Sequence, residues 1–579
     1  MDYQSQNTSI KTSTILWMVL LLTLVWFGTL GYRHLTPSDE GRYAEIAREM
    51  LASNDWITIR YNDYKYFEKP PLQAWMTALS FEWFGIGEWQ ARLWAGLTGF
   101  LTILTVGFTA TQLLGKRAGL LSAIVLAASP IWILGSHINS LDMGLSAFMG
   151  MSLCALLLAQ TSNNRSIGQA FWMLVCWACM GLAVLSKGLI GIVLPGLVLV
   201  VYSLTAFDFK IWMRLHWIKG IIIFLAITAP WFILISQKNP EFPHFFFIHE
   251  HFERFTTDEH RRSAPWHFFL PIFFIGFLPW LFQLPKSIAL AFSDRNQPQS
   301  EFKPLWLCFI WALLIFVFFS ASHSKLPGYI IPIYPALAIL GGLSLDRILF
   351  KFQGRNTTFL SNTAKAPIFW NLQVLIYILV LGLGFLALPL IKNTGETYES
   401  SQYLAFSHWI GFALSASLFF ACISWLLKNK YRLLSVFYFA ASFLSLCLIA
   451  GLGHETVGKQ LSGYEMAQVV KPLVHQDTPF YAVHILDHTL PFYLEKPMTM
   501  VEFTDELSFG AQQEPQKWLP TTQAFIERWN SDTESDALAL MSQTTYKDLS
   551  ENYHLEMEIV TQDPTRVIVK KISNKANPS

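Results

Sequence analysis

The chain has 579 residues, 53% of them hydrophobic and 14% charged, with a mean hydropathy of +0.37 and a net charge of +1. Soluble domains carry about 25% charged residues, so an ordinary soluble globular protein is excluded, and the balanced charge gives no sign of nucleic-acid binding. The 22 tryptophans and 47 phenylalanines suit aromatic belts at membrane interfaces. In chain order, the first apolar run is Ile15 to Leu30, after Lys11. No small-residue cleavage site follows it, so it reads as an uncleaved signal-anchor helix. Further spans begin near Leu93, Ala118, Met143, Ala170, Leu189, Trp217, Phe268, Leu305, Tyr329, Phe369, Leu404 and Leu433. A span needs about 20 apolar residues, which gives about 13 spans in all. The breaks at Lys187 and Pro327 are the least marked.

Basic residues in short loops set the orientation. Lys116 and Arg117, Arg165, Lys210 with Arg214 and Lys219, Lys286 with Arg295 and Lys303, Arg347 to Lys365, and Lys428 to Arg432 alternate regularly. These loops are assigned to the cytoplasm. The other loops, and the tail after an odd number of spans, then face outward. The outward side holds nearly all the mixed clusters of Asp, Glu, His, Arg, Lys and Tyr. In the outward loop 32–90, two amphipathic helices are expected along the interface, Gly41 to Leu51 and Leu72 to Phe84.

The division expected is a membrane domain over residues 1–452, including loop 32–90, and a small α/β domain over 453–579. In the tail, TPFYAVHI, ALALMS, LEMEIVT and RVIVKKI read as strands, and TTQAFIERW as a helix. The six cysteines all lie in apolar runs, so no disulfide framework is expected, and Cys176 and Cys179 read as buried packing residues. Transporters often show repeated halves with mid-membrane charges, and no internal repeat is visible here.

The most specific string is SDEGRYAEIAREMLASNDWITIRYNDYKYFEKPPLQAW, Ser38 to Trp75. It resembles the first outward loop of the ArnT branch of the GT-C glycosyltransferases, which are related to protein O-mannosyltransferases. LDMG around Asp142, HEHFERF from His249 and KLPGY from Lys325 follow in the family's order. The resemblance implies a polytopic helical GT-C fold with a small outward α/β domain. It also implies inverting transfer of 4-amino-4-deoxy-L-arabinose from undecaprenyl phosphate to a lipid A phosphate, at the periplasmic face of a bacterial inner membrane. Membrane lipids surround such a protein. Another sugar, such as galactosamine or a hexose, passed to lipid A, glycan or protein is the alternative within the enzyme class. A lipid or solute transporter is the alternative outside it. Enterobacterial ArnT proteins tend to carry Thr at the position of Gly41, a departure that bears on subfamily and sugar rather than reaction class.

By that resemblance Asp39 and Asp142 are the catalytic acidic positions, and Lys69, Arg254 and Tyr329 bind the carrier phosphate. An Arg fork and a Lys point charge both suit phosphate oxygens. Read alone, Tyr329 is an aromatic-belt residue. Lys69 divides evenly between phosphate ligand and snorkelling anchor, and Arg254 between phosphate ligand and partner of Glu250. Asp39 is read as functional because Ser38 can cap the helix that follows; a cap is a strong reading for Asp142. Glu40 reads as a first-turn acid and Lys187 as a surface anchor. Glu68 and His249 match the positions of a bound metal such as zinc, which stands as optional because two ligands do not close a zinc site.

Overall fold

The computed structural model describes residues 12–162, 167–253, 264–297, 302–350, 368–388, 398–531 and 536–572. Within 249–253 only the backbone is described. Arg254, the side chain of His249, Arg165, Arg355, Lys365 and the final residues therefore lie outside the described residues.

Contacts divide the chain into two compact units. The helical unit comprises Met1–Leu30 and Arg92–His454, and the loop–tail unit comprises Gly31–Ala91 and Glu455–Ser579. The sequence placed the first loop with the helices; by contacts it groups with the tail.

In the helical unit the long helices follow the apolar runs. They include α1 (Thr12–Gly28), and, beyond the loop, α4 (Glu88–Leu114), α5 (Lys116–Ala127), α6 (Pro130–Ser136), α7 (Leu141–Thr161), α8 (Ile167–Lys187), α9 (Ile190–Ala206) and α10 (Trp217–Lys238). Two helices of the first loop, α2 (Asp39–Ser53) and α3 (Leu72–Phe84), belong to the loop–tail unit. Among the described residues 9 helices are long and apolar enough to cross a membrane, or up to 11 if each of two bent pairs is one span. Two shorter apolar helices cover Ser13–Gly28 and Ile190–Ala206. The span expected from Ala118 is bent by 65° between α5 and α6, where Pro130 opens the second piece. The span expected from Phe268 is bent by 89°, next to Pro279. Proline removes a backbone donor, so a helix bends or restarts at it. Two buried polar groups of this unit are paired with backbone carbonyls: the Trp26 indole donates to Gly96 at 3.0 Å, and the fully buried Arg92 donates to Leu30 at 2.8 Å. Lipid offers no alternative partner for such groups.

The loop–tail unit is built on a five-stranded sheet with strands β3 (Phe480–Val483), β4 (Thr499–Val501), β5 (Leu538–Ser542), β6 (Met557–Gln562) and β7 (Arg566–Lys571). Its order is β4-β3-β5-β7-β6; β3 runs parallel to β4 and β5, and β7 is antiparallel to β5 and β6. Tyr481, Val483, Phe525, Trp529, Leu549, Val567 and Val569 form its core. The expected strands and the helix Thr522–Asn530 are present, the helix capped by Thr521 accepting from the Ala524 amide. The sequence missed β4, whose three residues are too short for a visible alternation.

From the first loop come α2 (Asp39–Ser53), a short hairpin of β1 (Arg60–Tyr61) and β2 (Tyr64–Lys65), and α3 (Leu72–Phe84). Asn62 and Asp63 supply the positive φ that a two-residue hairpin turn requires. The Asn62 amide then exchanges two hydrogen bonds with the Met498 backbone, and Arg60 meets Glu514 at 3.1 Å. These bonds hold the loop to the tail. The two helices were expected to be amphipathic and to lie along a membrane interface. Within this unit α2 is buried from Glu40 to Met50, charged residues included. Its charges are met inside the unit. Arg48 pairs with Glu45 at 2.6 Å, and Glu49 accepts from the Asp63 amide at 2.9 Å.

Candidate active site

The first turn of α2 positions Asp39. Ser38 occupies the cap position but makes no side-chain cap bond. Glu40, expected as an ordinary first-turn acid, is 1% exposed and ties down the approach to the helix. It accepts from Arg33 at 2.6 Å and from the backbone and hydroxyl of Thr36 at 3.0 and 2.8 Å. Asp39 carries neither task. Its side chain stays 41% exposed, and its nearest ion-pair partner, Arg42, stands 3.7 Å away.

Arg42, one turn on, reaches Glu506 of the short helical turn Asp505–Leu507 at 3.0 Å. The contact lacks hydrogen-bond alignment, leaving Glu506 Oε1 buried without a hydrogen-bond partner. Burial pushes the Glu506 carboxyl up to about 7; Arg42 opposes this, and Glu68, Asp505 and Asp39 add to it. Burial outweighs the single guanidinium because desolvation disfavours the charged form. His488 shares a hydrogen bond of 2.8 Å with the Tyr61 hydroxyl and is lowered to about 4 by burial and by Arg42, so it is neutral at pH 7. Burial raises the phenols of Tyr43 and Tyr66 well above their ordinary range, and both stay protonated. Gly41 is required by packing: a Cβ there would collide with the His488 carbonyl oxygen and the Thr489 methyl.

Glu68 and Lys69 follow the hairpin, just ahead of α3. Lys69 donates to the Glu68 carbonyl at 2.8 Å and lies 3.7 Å from the Glu68 carboxylate. Glu68 is buried, while Lys69 is 18% exposed. Among the described residues no group of three His, Cys, Asp or Glu could hold a metal ion. With Glu68 beside an ammonium and the His249 side chain undescribed, no step is assigned to a metal.

In the helical unit, Asp142 lies in the first turn of α7, 13% exposed, and accepts a hydrogen bond from Lys187 at the end of α8. The Lys187 ammonium stands 4.4 Å from the centroid of the Tyr329 ring, a cation–π distance. Tyr329 sits in the turn Pro327–Ile333 that KLPGY forms. Gly328 permits the approach, since a Cβ there would collide with the Asp142 carboxylate. Lys187 is thus an inward-turned partner of two candidate site residues rather than the surface anchor expected.

The structure groups Asp39, Glu68 and Lys69 in one unit, and Asp142 and Tyr329 in the other. Sequence reasoning missed Arg42, Glu506 and Lys187. Arg42 was findable by its i+3 spacing from Asp39 on a helix. Glu506 left no local signal, and Lys187 only an interruption between two apolar runs.

Residues 68–234 match the family profile of dolichyl-phosphate-mannose-protein mannosyltransferase, and residues 466–571 match the aminoarabinose transferase C-terminal domain. Among curated relatives, an undecaprenyl phosphate-alpha-4-amino-4-deoxy-L-arabinose arabinosyl transferase of Sodalis glossinidius is 31% identical over 409 residues, 69% of this chain and 71% of that protein. The chain belongs to the ArnT family. A relative of the same description from Pseudomonas paraeruginosa is 33% identical over 334 residues, 57% of this chain but only 59% of that protein's length. The crystal structure of ArnT from Cupriavidus metallidurans bound to undecaprenyl phosphate superposes with a TM-score of 0.89 at 42% identity, covering 98% of this chain and 100% of that one. The fold is therefore the GT-C architecture expected, a polytopic membrane protein with a small C-terminal sheet domain.

Proposed function

We propose that this protein is an inverting glycosyltransferase that moves 4-amino-4-deoxy-L-arabinose from undecaprenyl phosphate to a lipid A phosphate. The ArnT proteins it resembles carry that donor in their names, and the solved relative holds the carrier lipid. The observation that carries the reading is Asp39: an exposed carboxylate at a helix start, only loosely paired with Arg42, while the neighbouring Glu40 holds Arg33 and Thr36. Such a group can meet a substrate without first breaking a tight ion pair.

The reaction forms a bond from an acceptor phosphate oxygen to the anomeric carbon as the bond to the carrier phosphate breaks. The leaving group is a phosphate monoester, stable as an anion, so it needs cations rather than a general acid. Lys69, Arg254 and Tyr329 are the residues assigned to it. The acceptor phosphate is already ionised, so Asp39 works by orienting the sugar and by stabilising positive charge at the anomeric carbon. The sugar's ammonium gives it a natural partner. Asp142 is the second acidic position on the substrate side. Glu68 and His249 remain the positions for an optional zinc ion, which no step requires.

The assigned location is the bacterial inner membrane, with the active site and the domain 453–579 facing the periplasm. Adding a cationic sugar to lipid A lowers its negative charge and so weakens attraction of cationic antimicrobial peptides such as polymyxin.

The test is mass spectrometry of lipid A from cells that make the aminopentose donor and express the wild type, Asp39→Ala or Lys69→Ala at equal membrane levels. An aminopentose mass added by the wild type and lost in both variants is expected. A different sugar mass would keep the mechanism and change the donor. Unchanged lipid A in all three strains would overturn the assignment.

A further inference from the structure

Three residues in the helical unit form a stack that the proposed mechanism uses only in part. Asp142 stands in the first turn of α7, and Lys187 is the last residue of α8. Tyr329 belongs to the turn Pro327–Ile333. Lys187 joins all three, with its ammonium bonded to the Asp142 carboxylate and lying over the Tyr329 ring. Its side chain is only 18% exposed. A lysine serving merely as an interface anchor would extend its ammonium toward headgroups or water. This one is folded onto a carboxylate and an aromatic face.

We propose that Lys187 is a positioning residue for the carrier phosphate, holding the Tyr329 ring and lending positive charge to the phosphate bound at its hydroxyl. This rests on the reading of Tyr329 as a carrier-phosphate ligand. Three features of the geometry support it. The cation–π contact fixes the ring from one face, while Phe319 packs near it with centroids 5.2 Å apart. The phenol hydroxyl points along the ring plane, so a phosphate on it would lie within reach of a lysine stem folded over the same ring. And neither charge depends wholly on the other. Asp142 sits at a helix N-terminus and Lys187 at a helix C-terminus, where the helix dipoles favour an anion and a cation respectively.

The timing of charge also suits this role. The donor's phosphodiester carries one negative charge, whereas the departing carrier is a monoester with a charge of about −1.5 to −2. Negative charge therefore grows at the phosphate as the sugar leaves. A cation already paired with a carboxylate can shift toward that growing charge without ever becoming unpaired.

The experiment uses the full-length protein in nanodiscs and measures binding of undecaprenyl phosphate itself, which is independent of the sugar transferred. Lys187→Gln is expected to weaken binding about tenfold, the scale of one lost charge-assisted hydrogen bond. Lys187→Arg, which keeps the charge, is expected to retain most of it. In a double-mutant cycle, Lys187→Gln and Tyr329→Phe should combine to less than the product of their separate losses, because both act at one phosphate. Wild-type affinity in a normally melting Lys187→Gln protein would overturn the inference, as would losses that multiply independently. If Lys187→Gln fails to accumulate, the variant Lys187→Met/Asp142→Leu, which removes both charges of the pair, should show a similar loss; wild-type affinity there would equally overturn it. A wild type that does not bind undecaprenyl phosphate at all would instead remove the carrier reading, and this inference with it.

Discussion

Asp39 and Asp142 both lie in the first turn of a helix and are both candidate acidic residues of the proposed site, yet their surroundings differ. Asp39 is 41% exposed and stands 3.7 Å from Arg42, which is itself drawn toward Glu506. Asp142 is 13% exposed and bonded directly to Lys187. Near Asp39, burial, with neighbouring carboxylates adding to it, raises Glu506 to about 7 despite Arg42. Asp142 instead has a cation in direct contact, the Lys187 ammonium. The lesson is that a shared motif position does not fix a role. A loosely paired carboxylate is free to act on a substrate, while a tightly paired one first serves to hold its cation.

The largest expected effect tests that contrast directly. Asp39→Asn keeps shape and removes charge, and it should lower the transfer rate about 10²- to 10³-fold, as loss of one preorganised electrostatic group does. Glu40→Gln, at the next residue of the same turn, should act on stability instead, so turnover per folded molecule should survive. Equal losses of turnover from both, measured with purified protein and defined donor, would erase the distinction drawn here.

A second effect concerns the cation between the carboxylates. Arg42→Met leaves Asp39 and Glu506 without their shared partner and should destabilise the loop–tail unit by about 3 kcal/mol. Thermal unfolding followed through the tail's tryptophans would read this. A third change sharpens the reading of Gly41. Gly41→Thr pushes a side chain into the His488 backbone and should cost about 1–3 kcal/mol, the range for overpacking. The sugar transferred should stay the same, as judged by lipid A mass. A change of sugar would return this position to the substrate pocket.

The smallest effect near neutral pH is the most diagnostic of the acidic cluster. Glu506 holds its proton to about 7 against an ordinary 4.5, so its contribution to stability falls as pH rises through that window. His488 is lowered to about 4 from an ordinary 6.5, so its contribution rises as pH climbs through its own window. The two slopes oppose one another over most of their shared range, and the wild type should show little net dependence there. Glu506→Gln removes the falling slope, and stability should then increase from pH 4 to 6.5. A flat profile in that variant would refute the two assignments.

Much of the fold was legible because membrane insertion imposes a strong, local constraint on composition. The apolar runs, the aromatic content and the tail's alternating strands each read directly. Span ends at Pro130 and Pro279 were less legible, since a bend keeps the composition of a span while breaking its line. The burial of α2 was hidden for a related reason: amphipathic spacing reports that a helix has a polar face, not whether that face meets water or other parts of the protein. Glu45, Arg48 and Glu49 look solvated in sequence and are enclosed in the structure.

The sequence by itself determined a polytopic helical protein, and its resemblance to the ArnT family named Asp39, Glu68, Lys69, Asp142, His249, Arg254 and Tyr329 as candidate chemistry, because apolar runs and short strings are each local in the chain. Only the tertiary structure decided that the first loop groups with the tail, that Glu506 faces Arg42, and that Lys187 turns inward onto Asp142 and Tyr329. The physical reason is range. Hydropathy and helix spacing act between near neighbours in the chain, whereas the pairing of charges depends on which segments folding brings together.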